Sequence, residues 1–253
     1  DAEKAVTEFF PYLEEKRLLV WRKSKIETVQ APSPKFVILE VTNRCNLNCI
    51  HCSVCANERS CQELSTQEWA TLIKDLSCMG TQAIGLSGGE PLLRKDIFDI
   101  ASFARDSGLQ VGLVTNGLLL SEKVITKIKS LGLSVQVSLD GSNQDIHNKI
   151  RGSPKCFEKL INKLGLLQKH GVDFTIAAVA TAQNYKNLPE LLSLSEKTGA
   201  SSLRVQPFFP VGRGSRHRNE LDLNPAMTKE VTRFLKVAGN KTRMQVGGFY
   251  FQF

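Results

Sequence analysis

The sequence predicts an α/β protein built on a parallel sheet, and two observations carry that expectation. Between residues 36 and 237, six short apolar runs alternate with six segments of helical period, the pattern of repeated β-α units with right-handed crossovers. Cysteine- and glycine-containing motifs follow four consecutive strands, at the carboxyl ends where ligands bind in both barrels and doubly wound sheets. Six units fit either an open, three-quarter barrel of TIM type or a doubly wound sheet.

The elements follow in order. Residues 3–16 place Ala5, Val6, Phe9, Phe10 and Leu13 at helical spacing, with a break at Pro11. Leu18-Leu19-Val20-Trp21 and Ile26-Glu27-Thr28-Val29 read as two extended pieces around a charged turn, a small hairpin. Ala31-Pro32-Ser33-Pro34 reads as a linker, because two prolines so close resist regular structure. This divides the chain into an N-terminal helix-hairpin segment with its linker, 1–34, and a core domain, 35–253.

In the core, Phe36 to Val41 is the first strand. A helix from Thr66 to Met79 starts behind a Ser65 cap and stops at Gly80. The second strand is Ala83-Ile84-Gly85-Leu86, and a helix from Lys95 to Asp106 follows. Gln110 to Val114 is the third strand, with a helix from a Ser121 cap to Leu131. Ser134 to Leu139 is the fourth strand, with a helix from Phe157 to His170. Asp173 to Val179 and Ser202 to Gln206 complete the strands, each with its helix, Leu188 to Thr198 and Pro225 to Val237. The tail beyond carries no periodic signal.

The chain of 253 residues is long enough for a substantial core, and 42% of its residues are hydrophobic. No uncharged apolar run reaches the length of a membrane span, and no start resembling a signal peptide is visible. Five of seven cysteines (Cys45, Cys49, Cys52, Cys55 and Cys61) crowd one short window. That suits a metal site in a reducing, cytoplasmic setting better than a disulfide framework. The net charge of +8 favours acidic partners. Few aromatics separate the basic residues, which argues against nucleic acid.

Cys45-Asn46-Leu47-Asn48-Cys49-Ile50-His51-Cys52 follows the first strand directly. Three thiolates at this spacing suit an iron–sulfur cluster, and three ligands instead of four leave one iron open. Zinc is the alternative, with Cys55 as a fourth ligand. Ser87-Gly88-Gly89-Glu90-Pro91 ends the second strand, Thr115-Asn116-Gly117 the third, and Ser138-Leu139-Asp140-Gly141 the fourth.

The cysteine spacing, with His51 before the third cysteine, resembles the cluster loop of the radical S-adenosylmethionine (SAM) enzymes. The GGEP stretch resembles that family's SAM-binding motif. The likeness covers roughly residues 36–210 and selects the partial (β/α)6 TIM-like barrel. It implies a [4Fe–4S] cluster on Cys45, Cys49 and Cys52, with SAM on the open iron. It further implies SAM contacts from Ser87, Gly88, Gly89 and Glu90, with glycine backbone close to the ligand and the Glu90 carboxylate on the methionine ammonium. His51 would lie by the adenine, Ser138 and Asp140 by the ribose, and Arg151 on the SAM carboxylate. Asn116 is a further candidate facing the site.

The segment around Asp140, His147 and Arg151-Gly152, together with Pro210-Val211-Gly212-Arg213-Gly214, resembles the peptide-maturing, SPASM-type branch of that family. Haem-modifying relatives share similar turns. The branch usually carries a cysteine-rich C-terminal extension; no cysteine follows Cys156, so that extension is expected to be absent or cut away. The resemblance thus implies hydrogen abstraction from a ribosomally made peptide, with an acidic electron donor such as flavodoxin or ferredoxin as partner. A tetrapyrrole or other small molecule is the alternative substrate, and a non-catalytic cluster or zinc module the alternative class. Arg213, Arg216 and Arg218 are expected to place positive charge beside the barrel's lateral opening, for an acidic peptide.

Overall fold

The computed structural model describes residues 15, 33–58, 62–239 and 242–248. Glu15 apart, the expected N-terminal helix and hairpin lie outside these residues, as does Cys61.

Seven strands form one parallel sheet: β1 (Phe36–Glu40), β2 (Ala83–Ser87), β3 (Gln110–Thr115), β4 (Ser134–Ser138), β5 (Phe174–Ala180), β6 (Ser202–Pro207) and β7 (Gln245–Gly248). Their spatial order is their chain order, and every neighbouring pair is parallel. A doubly wound sheet reverses strand order at a switch point. Here it never reverses, so the topology selects the open barrel. The connecting helices are α1 (Thr66–Cys78), α2 (Ile97–Asp106), α3 (Glu122–Ser130), α4 (Gln144–Arg151), α5 (Cys156–Lys169), α6 (Leu188–Lys197), the short α7 (Arg218–Leu221) and α8 (Pro225–Ala238).

The two faces of the sheet differ chemically. Alternate strand residues such as Leu39, Leu86, Leu113, Val137, Ile176 and Val205 join helix residues such as Ile73, Ile100 and Leu164 in one buried core. The opposite face presents Gln136 and Ser138 on β4, Thr175 on β5, and Arg204 and Gln206 on β6, none of them buried. The open face also carries the exposed Phe36 and Ile38 of β1; one covered face and one open, mixed face is what an incomplete barrel requires, since its inner wall meets ligand or water instead of helices.

Local chemistry accounts for the helix ends. Ser65 accepts from the Glu68 amide while the Glu68 carboxylate reaches back to Ser65, a complete capping box. Ser121 caps α3 by accepting from the Val124 amide. Two elements extend the sequence reading. β7 arises from the tail that carried no periodic signal, because its four residues include two glycines and a single apolar side chain, Val246. α4 has only eight residues, yet Asn143 accepts from the Ile146 amide at one end and Gly152 closes the other in a left-handed conformation, φ 62°.

Candidate active site

The cysteine loop runs from the end of β1 across the top of the sheet, and other loops fasten it at three places. The first is the β2 exit. Gly89 N–H donates to Thr42 O at 2.7 Å and Glu90 N–H to Arg44 O at 2.8 Å. A Cβ on Gly88 would lie 2.3 Å from Thr42 O, and one on Gly89 2.2 Å from Arg44 O. The missing side chains of this motif are therefore needed where two backbones cross. The second place is α4, where Ile50 N–H donates to Ile150 O and a Cβ on Gly152 would strike Asn48 O.

The third fastening comes from the turn after β6. Arg213 is buried at 5% exposure. It donates from Nη1 to Cys49 O (2.9 Å), from Nη2 to Ala56 O (2.6 Å), from Nε to Glu58 (2.7 Å) and from its backbone N–H to Cys52 O (2.8 Å). Gly212 sits so close that a Cβ would lie 2.2 Å from Ser53 O. Arg216 pairs with the same Glu58 at 2.7 Å, and Arg218 with Glu15 at 3.0 Å and Asp222 at 3.5 Å. This corrects the expectation of a basic patch awaiting an acidic peptide, because all three arginines meet carboxylates of the chain itself. Charge counting along the sequence could not find Glu58 and Glu15, which lie more than 150 positions away, although Asp222 is only four residues from Arg218.

Within the loop, Asn57 grips both polar groups of the Cys45 backbone, accepting from its N–H and donating to its carbonyl. Cys49 is buried, while Cys45 and Cys52 are half-buried. Burial pushes the Cys45 thiol up to about 11 and also raises that of Cys49, so without a metal both are protonated near neutral pH. Among the described residues, no three His, Cys, Asp or Glu side chains close on a single metal ion. Three cysteines that each take a different iron need not converge so tightly. Cys55, the expected fourth zinc ligand, is buried at φ 50°.

Glu90 is fully buried beside this loop. Its carboxylate accepts from Thr115 Oγ1 (2.7 Å), Asn116 N–H (2.8 Å) and Leu92 N–H (3.1 Å). Burial raises its pKa, and these hydrogen bonds oppose the rise. Three donors leave about one of a carboxylate's four lone-pair sites for a ligand. Asn116 donates from Nδ2 to Asn46 Oδ1 at 2.7 Å, tying the third motif to the cysteine loop.

Asp140, Arg151 and His51 come together around Cys49. Arg151 Nε and Asp140 Oδ2 approach to 2.6 Å without the alignment a hydrogen bond needs. Asp140 Oδ1 accepts from the Val179 amide, and Arg151 Nη1 lies 3.9 Å from Cys49 Sγ. Burial alone would raise the Asp140 pKa, but the Arg151 charge and the neighbouring histidines hold it below the usual carboxylate range. Burial disfavours the Arg151 charge, and Asp140 and Cys49 more than offset that. His51 Nε2 is 3.9 Å from Asp140 Oδ2, yet burial brings its pKa down to about 4, so the ring is neutral. His147 is likewise lowered to about 4 by burial, and its Nδ1 accepts from the Asp140 amide at 3.2 Å. Ser138 is half-buried on the open face.

The deciding comparison is with the family model "Radical SAM superfamily", which matches residues 39–195. The chain belongs to the radical SAM superfamily. A Fe-coproporphyrin III synthase of Methanosarcina barkeri is 36% identical over 73% of this chain and 46% of its own length. Mycofactocin maturase MftC of Mycolicibacterium smegmatis is 30% identical over 83% of this chain and 53% of its own. The chain thus spans about half the length of these radical SAM relatives. The crystal structure of Streptococcus suis SuiB bound to precursor peptide SuiA superposes with a TM-score of 0.75 at 15% identity, covering 99% of this chain and 61% of that one. That likeness is one of fold.

Radical SAM proteins employ a [4Fe–4S] cluster and SAM, and the residues present fit both groups. A soft donor set lies on one well-fastened loop. Beside it, among the described residues, His51 Nδ1 is buried and lacks a hydrogen-bond partner, as a group awaiting a polar ligand would be, while Asp140 Oδ2 and Arg151 Nε meet each other at 2.6 Å. Asn57 and Asn184 are contributors that sequence reasoning missed, and Arg213, expected to serve a peptide, instead fastens the cysteine loop. Asn184 donates from Nδ2 to both Asp140 O and Val179 O, bracing the end of β4.

Proposed function

We propose that this chain is the core of a radical SAM enzyme that abstracts hydrogen from a peptide during its maturation. The observation that carries the proposal is the gathering of Cys45, Cys49 and Cys52 with Glu90, Asp140, Arg151 and His51 at the carboxyl end of one open parallel sheet. When bound, the cluster and SAM supply one-electron cleavage and hydrogen abstraction. The chain's own residues hold, orient and neutralise. Cys45, Cys49 and Cys52 provide thiolates for three irons. Glu90 offers its remaining lone pair to the SAM ammonium, positioned by Thr115 and the Asn116 amide. Arg151, fixed and charge-balanced by Asp140, directs its free edge to the SAM carboxylate. Ser138 and Asp140 would serve the ribose, and neutral His51 would lie against the adenine. Ser87, Gly88 and Gly89 form the turn that presents Glu90.

Peptide as substrate draws support from the maturase likeness, which covers more of the chain than the porphyrin synthase does. The higher identity of the synthase favours a second reading, a tetrapyrrole. An acidic electron donor of flavodoxin or ferredoxin type fits the net charge of +8. Among the described residues no helix is long and apolar enough to cross a membrane, and we place the protein in the cytoplasm on its unpaired thiols.

The test is anaerobic reconstitution followed by measurement of 5′-deoxyadenosine release under dithionite. Release, and its stimulation by a precursor peptide encoded beside the gene, is the expected result. A reconstituted four-iron protein that releases none would overturn the proposal, and stimulation by iron coproporphyrin III alone would favour the second reading.

A further inference from the structure

One charge on the inner wall of the barrel has no use in the site described above. Leu203 and Val205 of β6 lie in the helix-covered core, so Arg204 between them points to the open face. It is exposed, and among the described residues its side chain forms no hydrogen bond or ion pair. By contrast, Arg94, Arg151 and Arg213 are buried and partnered. The positions level with it are Ala177 on β5 and Gly247 on β7. A Cβ on Gly247 would meet nothing within 4 Å, so there is room beside the guanidinium. The same register continues through Ala177 to Ser138, the proposed ribose contact. Two strand spacings, about 10 Å, therefore separate the two Cα atoms. Glu40, the acidic strand residue of this face, is on the opposite edge strand, β1.

An exposed guanidinium on the open face of the sheet with no carboxylate beside it among the described residues is suited to one ligand chemistry, a planar anion taken in two parallel hydrogen bonds. We propose that Arg204 anchors a carboxylate of the substrate and so sets which part of it faces the SAM ribose. This rests on the reading of the chain as a radical SAM enzyme and names a chemical requirement of its substrate. An Asp or Glu side chain of a peptide and a propionate of a tetrapyrrole both present that group.

The reconstituted protein is titrated with two pairs of probes. One pair is iron coproporphyrin III and its methyl ester; the other is a short peptide containing Asp and Glu and its Asn/Gln counterpart. The expected result is that one carboxylate probe binds the wild-type protein and that masking its carboxylates weakens binding about 10- to 100-fold. Arg204→Gln weakens the carboxylate probe by a similar factor but leaves the masked probe unaffected. Arg204→Lys falls between, and the melting temperatures of both variants verify folding. The pair that responds identifies the carboxylate's source. Equal binding of masked and unmasked probes, or failure of both carboxylate probes to bind, overturns the assignment. If the wild-type protein still releases 5′-deoxyadenosine in that case, only the role of Arg204 falls. If it does not, the enzymatic reading falls with it.

Discussion

Replacing Arg213 by alanine should loosen the cysteine loop while leaving every cysteine in place. The change removes the donors to Cys49 O and Ala56 O, two carbonyls of buried residues that no water can easily reach. Each buried acceptor left without a partner costs about 1–3 kcal/mol, so the pair costs about 4 kcal/mol. The Glu58 contact adds nothing to this sum, because that carboxylate is solvated. For a chain of this size each kcal/mol lowers the melting temperature by about 2–4 °C, which gives a fall of roughly 8–16 °C. Differential scanning calorimetry of the metal-free protein reads this directly. Iron counting after anaerobic reconstitution reads the consequence for the loop, with sub-stoichiometric iron expected. Arg213→Lys can reach one carbonyl but not both, and should melt between the two. A variant that melts within 2 °C of wild type and takes up full iron would refute the account of Arg213 as the fastening of this loop.

Cys45→Ala, Cys49→Ala and Cys52→Ala should each abolish assembly of a four-iron cluster, whereas Cys55→Ala should retain it; iron and sulfide analysis with electron paramagnetic resonance distinguishes them. Glu90→Gln turns a carboxylate oxygen facing the Asn116 amide into either a donor or a weaker acceptor. With Arg151→Ala, it should reduce SAM affinity by about one to two decades in calorimetric titration, at unchanged iron content for Glu90→Gln. Protonation of His51 and His147 is displaced downward to about 4 in the fold. Above pH 6.5 both states are neutral and nothing changes. As pH falls from 6.5 to about 4 the unfolded chain takes up protons that the fold refuses, so stability declines, by up to about 3 kcal/mol per ring. Urea unfolding of the metal-free protein across that range should show the decline, and His147→Asn should flatten it; a flat wild-type profile would contradict the buried, neutral rings.

What the sequence disclosed were features written locally. The strands from β1 to β6 are apolar or alternating runs, the long helices show their period, α1, α3 and α8 also have a side-chain cap, and the cysteine and glycine motifs sit at strand ends. What it withheld depends on distant partners or on weak local signals. β7 holds one apolar side chain. α4 has its caps but only two apolar residues, Ile146 and Ile150, and its buried residues include His147 and Arg151. The glycines of GGEP are legible as a turn, but the reason they must be glycines is the backbone of Thr42 and Arg44. Arg213 and Arg216 look like surface charge until Glu58 is placed beside them, more than 150 positions earlier in the chain. The site residues were named singly, by resemblance. Their grouping into one electrostatic unit around Cys49 required the fold.

The separation of 164 residues between Arg213 and Cys49 also sets an order of events during synthesis. At about 5–20 residues per second, ribosomes need roughly 8–30 s to make the intervening chain. Throughout that interval the cysteines have left the ribosome, while the arginine that locks their loop does not yet exist. The thiols of Cys45 and Cys49 then lack the rise in pKa that burial gives them in the fold, and the loop is open to oxidants and stray metals. Iron delivered before residue 213 is translated would meet a floppy trio of ligands, while iron delivered afterwards meets a finished one. A firmly held cluster is therefore expected only once the sixth strand and its turn have docked on the cysteine loop.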